Sequence, residues 1–294
     1  MLRAKLALLS WALLLCVIGG GAQSALGQAT ARPTPIPAAP AAEIHPNVTE
    51  TVVDSSVPDD AAVDKMLTVY APKVRALDTL IGKLKGDLKK GGMGAGSLGN
   101  FVADGIRAQA SAKLGRPIVL AVTNNGGLRK SVIPEGELHE RDIFELMPFE
   151  NALVAFDLTG AQVLDLLRVV VAYRDAQSGA RIKYRIGSDK KAELESARLL
   201  IGGQEKEIDP SAIYTIICID YLWKRTSTKP SETEGNYSVL REAKNINPLG
   251  LTIRDALIQY VKAETAAGRE IKSTLDGRFV FDKAASGGAE EPKP

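Results

Sequence analysis

The chain predicts an α+β fold, with helices packed on a mixed β-sheet. Three observations carry this. Apolar runs of strand length lie at Pro117–Val122, Leu153–Leu158 and Tyr214–Leu222, the last strongly β-branched. Other segments space their apolar residues at three and four, as one buried helix face requires. The two kinds do not alternate strictly, which argues against a parallel sheet of βαβ units.

Residues 59–80 carry Val63, Met66, Leu67, Tyr70, Val74, Leu77 and Leu80, an amphipathic helix that Pro72 should kink or split. Residues 80–88 read as a strand and 89–96 as a glycine loop. Ser97 is placed to cap a helix burying Phe101, Val102, Ile106 and Ala110. On that helix Asp104 and Arg107 read as an exposed pair, or Arg107 as a phosphate-facing cation. Thr159 and Gln162 form a capping-box pattern before Val163, Leu166, Leu167, Val170 and Val171. Ser178-Gly179 reads as a turn and 181–186 as an alternating strand. Residues 199–208 form a hairpin at Gly202-Gly203. Residues 224–247 are polar and aperiodic; 253–262 read as a helix and 276–281 as a closing strand.

Composition and ends bound the setting. A formal net charge of +2 over 294 residues excludes phosphate-driven nucleic-acid binding. Arg3 and Lys5 precede the uncharged run 6–18 and a small-residue exit, so residues 1–27 read as a secretory signal peptide, cleaved to leave no membrane attachment. The expected location is periplasmic or secreted. Residues 28–57 read as a disordered Ala/Pro-rich tether, 58–283 as one domain and 284–294 as a disordered tail. Cys16 goes with the signal, leaving Cys218 as a buried apolar residue.

The chemistry centres on 119–160. The run ends in Thr123-Asn124-Asn125-Gly126-Gly127, residues that tolerate positive φ, and Arg129 follows. Met147-Pro148-Phe149-Glu150-Asn151 places a ring before the next strand. A glycine loop with Asn, Arg and a nearby ring suits a flat, polar, anionic ligand. No His/Asp/Glu cluster has metal-ligand spacing, no serine sits in a nucleophile elbow, and no phosphate loop is present. His139 reads as a surface residue near a helix start, and Glu137 and Glu140 as helix N-terminal charge. No catalytic or metal-binding residue is therefore assigned.

In the order and spacing of its motifs, the stretch resembles the C-terminal domain of the 5′-nucleotidase family. Asn124–Arg129 matches its N-x-G-G-[IL]-R loop, Gly136-Glu137-Leu138 a G-x-[IL] step, Pro148–Asn151 its P-F-x-N segment and Asp157–Gly160 its D-L-T-G ending. Leu98–Asp104 matches L-G-N-x-x-A-D. The resemblance covers roughly Pro58 to Asp282. It implies an α+β substrate-recognition domain for a nucleotide or nucleoside, in nucleotide catabolism or salvage. Asn124, Arg129 and Asn151 would lie in the binding site, with Phe149 and Tyr221 sandwiching the base. Family members hydrolyse phosphate esters with two divalent metals held in a separate N-terminal domain. That domain is not seen here, so no cofactor is expected in this chain, and a separate metallophosphatase chain is the implied partner.

Other readings stand beside this one. Phe149 could staple the loop to the core, Tyr221 cap a strand, and Asn124 with its glycines serve only as a turn. The chain could be a structural or interaction module that has lost its ligand, or a hydrolase in its own right. The family's G-G-D-G-[YF] loop is replaced by Trp223-Lys224-Arg225-Thr226, with Gly235-Asn236-Tyr237 as its nearest echo. Asn125 replaces the small residue that usually follows the loop Asn. The resemblance assigns ribose contact to the Asp of the replaced loop, where Asn236 stands in the echo, so the change touches ribose recognition and the choice of ligand.

Overall fold

A computed structural model describes residues 47–225, 237–288 and 290–291. The expected signal peptide, 1–27, and most of the expected tether, 28–57, lie outside them. Residues 47–58 belong to a first unit and are exposed and irregular; the second unit begins at Asp59.

The second unit opens with α1 (Ala61–Ala76), β1 (Leu80–Lys85), β2 (Leu88–Lys89), α2 (Gly96–Leu114) and β3 (Leu120–Thr123). Then come β4 (Val132–Ile133), β5 (Gly136–His139), α3 (Glu140–Leu146), β6 (Ala152–Thr159), α4 (Gly160–Tyr173) and β7 (Ala176–Ser178). Next are β8 (Ala180–Ile186), β9 (Ala192–Ile201), β10 (Gln204–Glu207), β11 (Ile213–Ile219) and α5 (Asp220–Arg225). After the undescribed stretch come β12 (Lys244–Thr252), α6 (Ile253–Ala266), β13 (Ile271–Lys272) and β14 (Phe279–Phe281).

The α+β expectation holds, with the strands divided among several sheets. The five-stranded sheet runs β12-β6-β11-β3-β7. Only the β11–β3 pair is parallel. A four-stranded sheet, β10-β9-β8-β14, carries the predicted hairpin, with Gly202 and Gly203 at φ 62° and 79°. Smaller sheets join β13-β1-β5 and β2-β4. Central β11 buries Ile216, Ile217, Cys218 and Ile219, so Cys218 is the apolar filler expected of it. On α4, all five predicted apolar positions are buried. Its capping box closes through Thr159 N–H to Gln162 Oε1 (2.8 Å) and Gln162 N–H to Thr159 Oγ1 (3.3 Å).

Several local readings are corrected. Ser97 does not cap α2: its Oγ accepts from Lys89 N–H (2.9 Å), and left-handed Ala95 precedes the helix. Asp104 turns to Arg278 instead of Arg107. Arg107 donates Nε to the Ile118 carbonyl (2.9 Å) and Nη2 to that of Leu200 (3.4 Å), so it braces α2 against the sheets. Glu137 lies in β5, two residues before the N-cap His139 and outside the first turn of α3, whereas Glu140 opens α3 and pairs with Lys262 at 2.7 Å. His139 precedes α3 as expected, its N–H donating to Asp142 (2.9 Å). The turn after Ser178 needs glycine: Gly179 has φ +114°, and a Cβ there would sit 2.0 Å from the Val119 carbonyl oxygen. The polar segment 224–247 contains the start of β12, missed because Asn-Pro-Leu-Gly reads as a turn and the pairing with β6 shifts register twice. Beyond β14, Ser286 Oγ accepts from Ile186 N–H (3.0 Å).

Candidate functional site at one end of the central sheet

Sheet topology gathers the sequence-predicted residues. Strands β3 and β11 run parallel, with Val122 beside Cys218, and β6 runs against β11, with Leu153 beside Ile219. The C-terminal ends of β3 and β11 and the N-terminal end of β6 therefore share one edge. Asn124 leaves β3 there, Tyr221 follows β11 and Phe149 and Asn151 enter β6. Asp220 Oδ1 accepts from Ala152 N–H (3.1 Å), tying the Tyr221 segment to the Asn151 segment. The Asn151 carbonyl accepts from Ile253 N–H (2.9 Å) at the head of α6.

The loop after β3 is a tight 3₁₀ turn. Gly127 N–H donates to the Asn124 carbonyl and Leu128 N–H to that of Asn125, both at 3.1 Å. Neither Gly126 nor Gly127 takes positive φ, which corrects the expected reason for them. They leave room for the Asn124 side chain: a Cβ on Gly127 would lie 3.1 Å from Asn124 Oδ1. The side-chain oxygens of Thr123, Asn124 and Asn125 are buried with no hydrogen-bond partner among the described residues. Such acceptors call for a donor.

Arg129 N–H donates to the Leu146 carbonyl (2.9 Å), and its guanidinium stands over the Phe149 ring, 5.0 Å from the centroid. This is cation–π geometry, with both side chains exposed. Lys90 Nζ donates to the Leu128 carbonyl (2.8 Å), and burial together with Arg129 holds its pKa below the ordinary lysine value. In the sequence Lys90 is only one residue of the glycine loop 89–96; the fold turns it toward the Asn124 loop.

Beneath the loop lies a network the sequence did not reveal. Buried Asp175 accepts from Asn125 N–H through Oδ1 (2.7 Å) and from Tyr237 O–H through Oδ2 (2.5 Å). Burial pushes its pKa up to about 6 against the pull of both hydrogen bonds. In the sequence Tyr237 marks only the end of the Gly235-Asn236-Tyr237 echo, and no local pattern singles out Asp175. Gly235 and Asn236 lie outside the described residues. Tyr221 sits in α5 and not on the strand, half-buried against the hydrophobic core.

Two cavities of about 690 and 640 Å³ lie along α2 and α6, sharing Asp104 and Tyr260. Neither includes a residue of the sheet-end cluster. Among the described residues no group of three or more His, Cys, Asp or Glu side chains is placed to hold a metal ion.

A mixed sheet thus ends in an Asn-Gly-Gly-x-Arg loop beside the Phe149 ring. The chain belongs to the 5′-nucleotidase C-terminal domain family, whose pattern matches residues 78–228 and so spans all five predicted site residues. It is 32% identical over 170 residues to a 5′-nucleotidase of Vibrio vulnificus, covering 56% of this chain and 29% of that protein. It is 42% identical over 189 residues to the trifunctional nucleotide phosphoesterase protein YfkN of Bacillus subtilis, covering 62% of this chain and 12% of that one. The chain thus spans less than a third of either relative. In fold it is similar to the 5′-nucleotidase precursor of Thermus thermophilus, with TM-score 0.60 and 22% identity over 77% of this chain and 44% of that one.

Proposed function

We propose that this chain is an exported substrate-recognition module that binds a nucleotide or nucleoside at the sheet end. Hydrolysis would fall to a metallophosphatase, working in nucleotide catabolism or salvage. The observation that carries the reading is the Arg129 guanidinium poised over Phe149 beside the Asn124 loop. A base would stack on Phe149 and be flanked by Tyr221, while Asn124 and Asn151 offer amide groups to base or ribose. Arg129 and Lys90 would supply the positive field for phosphate. Two rings contribute about 2–6 kcal/mol, where a millimolar complex needs about 4 kcal/mol.

Thermal melting of residues 28–294 with AMP, adenosine, UMP or UDP-glucose tests this. A ligand at about 100 times its Kd adds about 2.7 kcal/mol and raises the midpoint by a few degrees. Phe149→Ala should weaken binding about 5- to 150-fold, the loss of one stacking partner, and Arg129→Ala should also remove the shift.

A second reading, a scaffold that has lost its ligand, draws on two features. Arg129 and Phe149 already satisfy each other, and Tyr221 leans on the core. The absence of a shift with all four ligands would favour it.

A further inference from the structure

Helix α1 is amphipathic as the sequence requires, yet none of its residues is buried. Val63, Leu67, Tyr70 and Val74 are 46%, 51%, 58% and 62% exposed. With Leu77 they are spaced 4-3-4-3, a seam of the 3.5-residue period by which two helices pack together. Pro72 falls on the opposite side of the helix, at one hundred degrees per residue. It therefore lies off the seam, inside a helix that runs unbroken from Ala61 to Ala76. Helices of this length draw most of their stability from packing. Among the described residues, α1 is held by the N-cap Asp60 and, just past its far end, by Arg141 N–H donating to the Leu77 carbonyl (2.8 Å).

We propose that α1 is a self-association surface, on which a second copy of this chain packs its own α1 antiparallel along the seam. The charges choose both the occupant and the direction. Asp60 and Asp64 flank the seam near its start, and Arg75 lies on the same flank near its end. Lys73 lies near the end of the other flank, and Lys65 points away beside Pro72. Antiparallel pairing sets each acidic end against the partner's basic end. Parallel pairing would set like charges together. Two helices about 24 Å long form a small interface, so the dimer dissociates on dilution.

Sedimentation equilibrium of the mature chain from about 1 to about 200 µM, where small interfaces dissociate, reads this directly. The mass should rise from monomer toward dimer with concentration. Leu67→Asp should weaken association about tenfold or more by charging the centre of the seam. It should leave thermal melting unchanged, because no α1 residue enters the core. Asp64→Lys and Arg75→Asp should each weaken the dimer, and together restore it, as an antiparallel contact requires. A monomer at every concentration would overturn the proposal, even one that bound a metallophosphatase through this face. So would a dimer indifferent to Leu67→Asp, or a charge exchange that failed to restore association.

Discussion

Replacing Arg278 with alanine is expected to lower stability by about 3 kcal/mol, the low end for removing one partner of a buried ion pair. Arg278 is 8% exposed. Its Nη1 and Nη2 donate to the two oxygens of Asp104, both at 2.9 Å. Nε and Nη2 donate to Asp276 at 2.9 and 3.0 Å, and Nη1 also to the Gln177 carbonyl at 3.0 Å. One guanidinium thus joins α2, β7 and the entry to β14. The two carboxylates hold its pKa above the ordinary arginine value even though burial opposes the charge. Alanine would take the guanidinium away from both acids and from the Gln177 carbonyl. The acids keep some water, which sets the cost at the low end. Urea unfolding checks this: the midpoint should fall with an unchanged slope. Arg278→Lys should recover less than half, because an ammonium cannot reproduce the forked contacts.

The second large effect is a pH dependence centred on Asp175. Its carboxyl titrates at 3.8 when unperturbed and is pushed up to about 6 in the fold by burial, with neutral partners only, Asn125 N–H and Tyr237 O–H. A raised folded-state pKa means that the protonated acid favours the native state. Its contribution is complete below about 3.8, declines as pH rises toward about 6 and is absent above. The gap corresponds to about 3 kcal/mol. Asp175→Asn should remove this part of the pH profile and raise stability at pH 7 by about 1–3 kcal/mol. The amide can still accept from Asn125 N–H and turn its NH₂ to the tyrosine oxygen. Melting from pH 4 to 8 checks it: parallel wild-type and Asp175→Asn profiles would contradict the assignment.

What was legible in the sequence was local. Runs of strand length marked β3, β6 and β11, and the Thr159–Gln162 box placed the start of α4, because period and capping are written within a few residues. The loop, Arg129 and Phe149 were legible for the same reason. Contacts between distant segments were not. Asp104 and Arg107 look like a helix pair by spacing, but Asp104 is claimed by an arginine far along the chain. Nothing in the local pattern connects Asp175 to Asn125 or Tyr237. Strand β12 was missed because its Asn-Pro-Leu-Gly is turn chemistry, tolerated where the ladder bulges. The amphipathic period of α1 was legible, but period alone cannot say whether the apolar face meets this chain's core.

An amide NMR titration of residues 28–294 with AMP tests the sheet-end site most directly. The sheet-end reading predicts saturable shifts concentrated at Asn124–Gly127, Arg129, Phe149, Asn151 and Tyr221, and their loss in Phe149→Ala. Shifts confined to the α2–α6 cavities, or none at millimolar AMP, would contradict it.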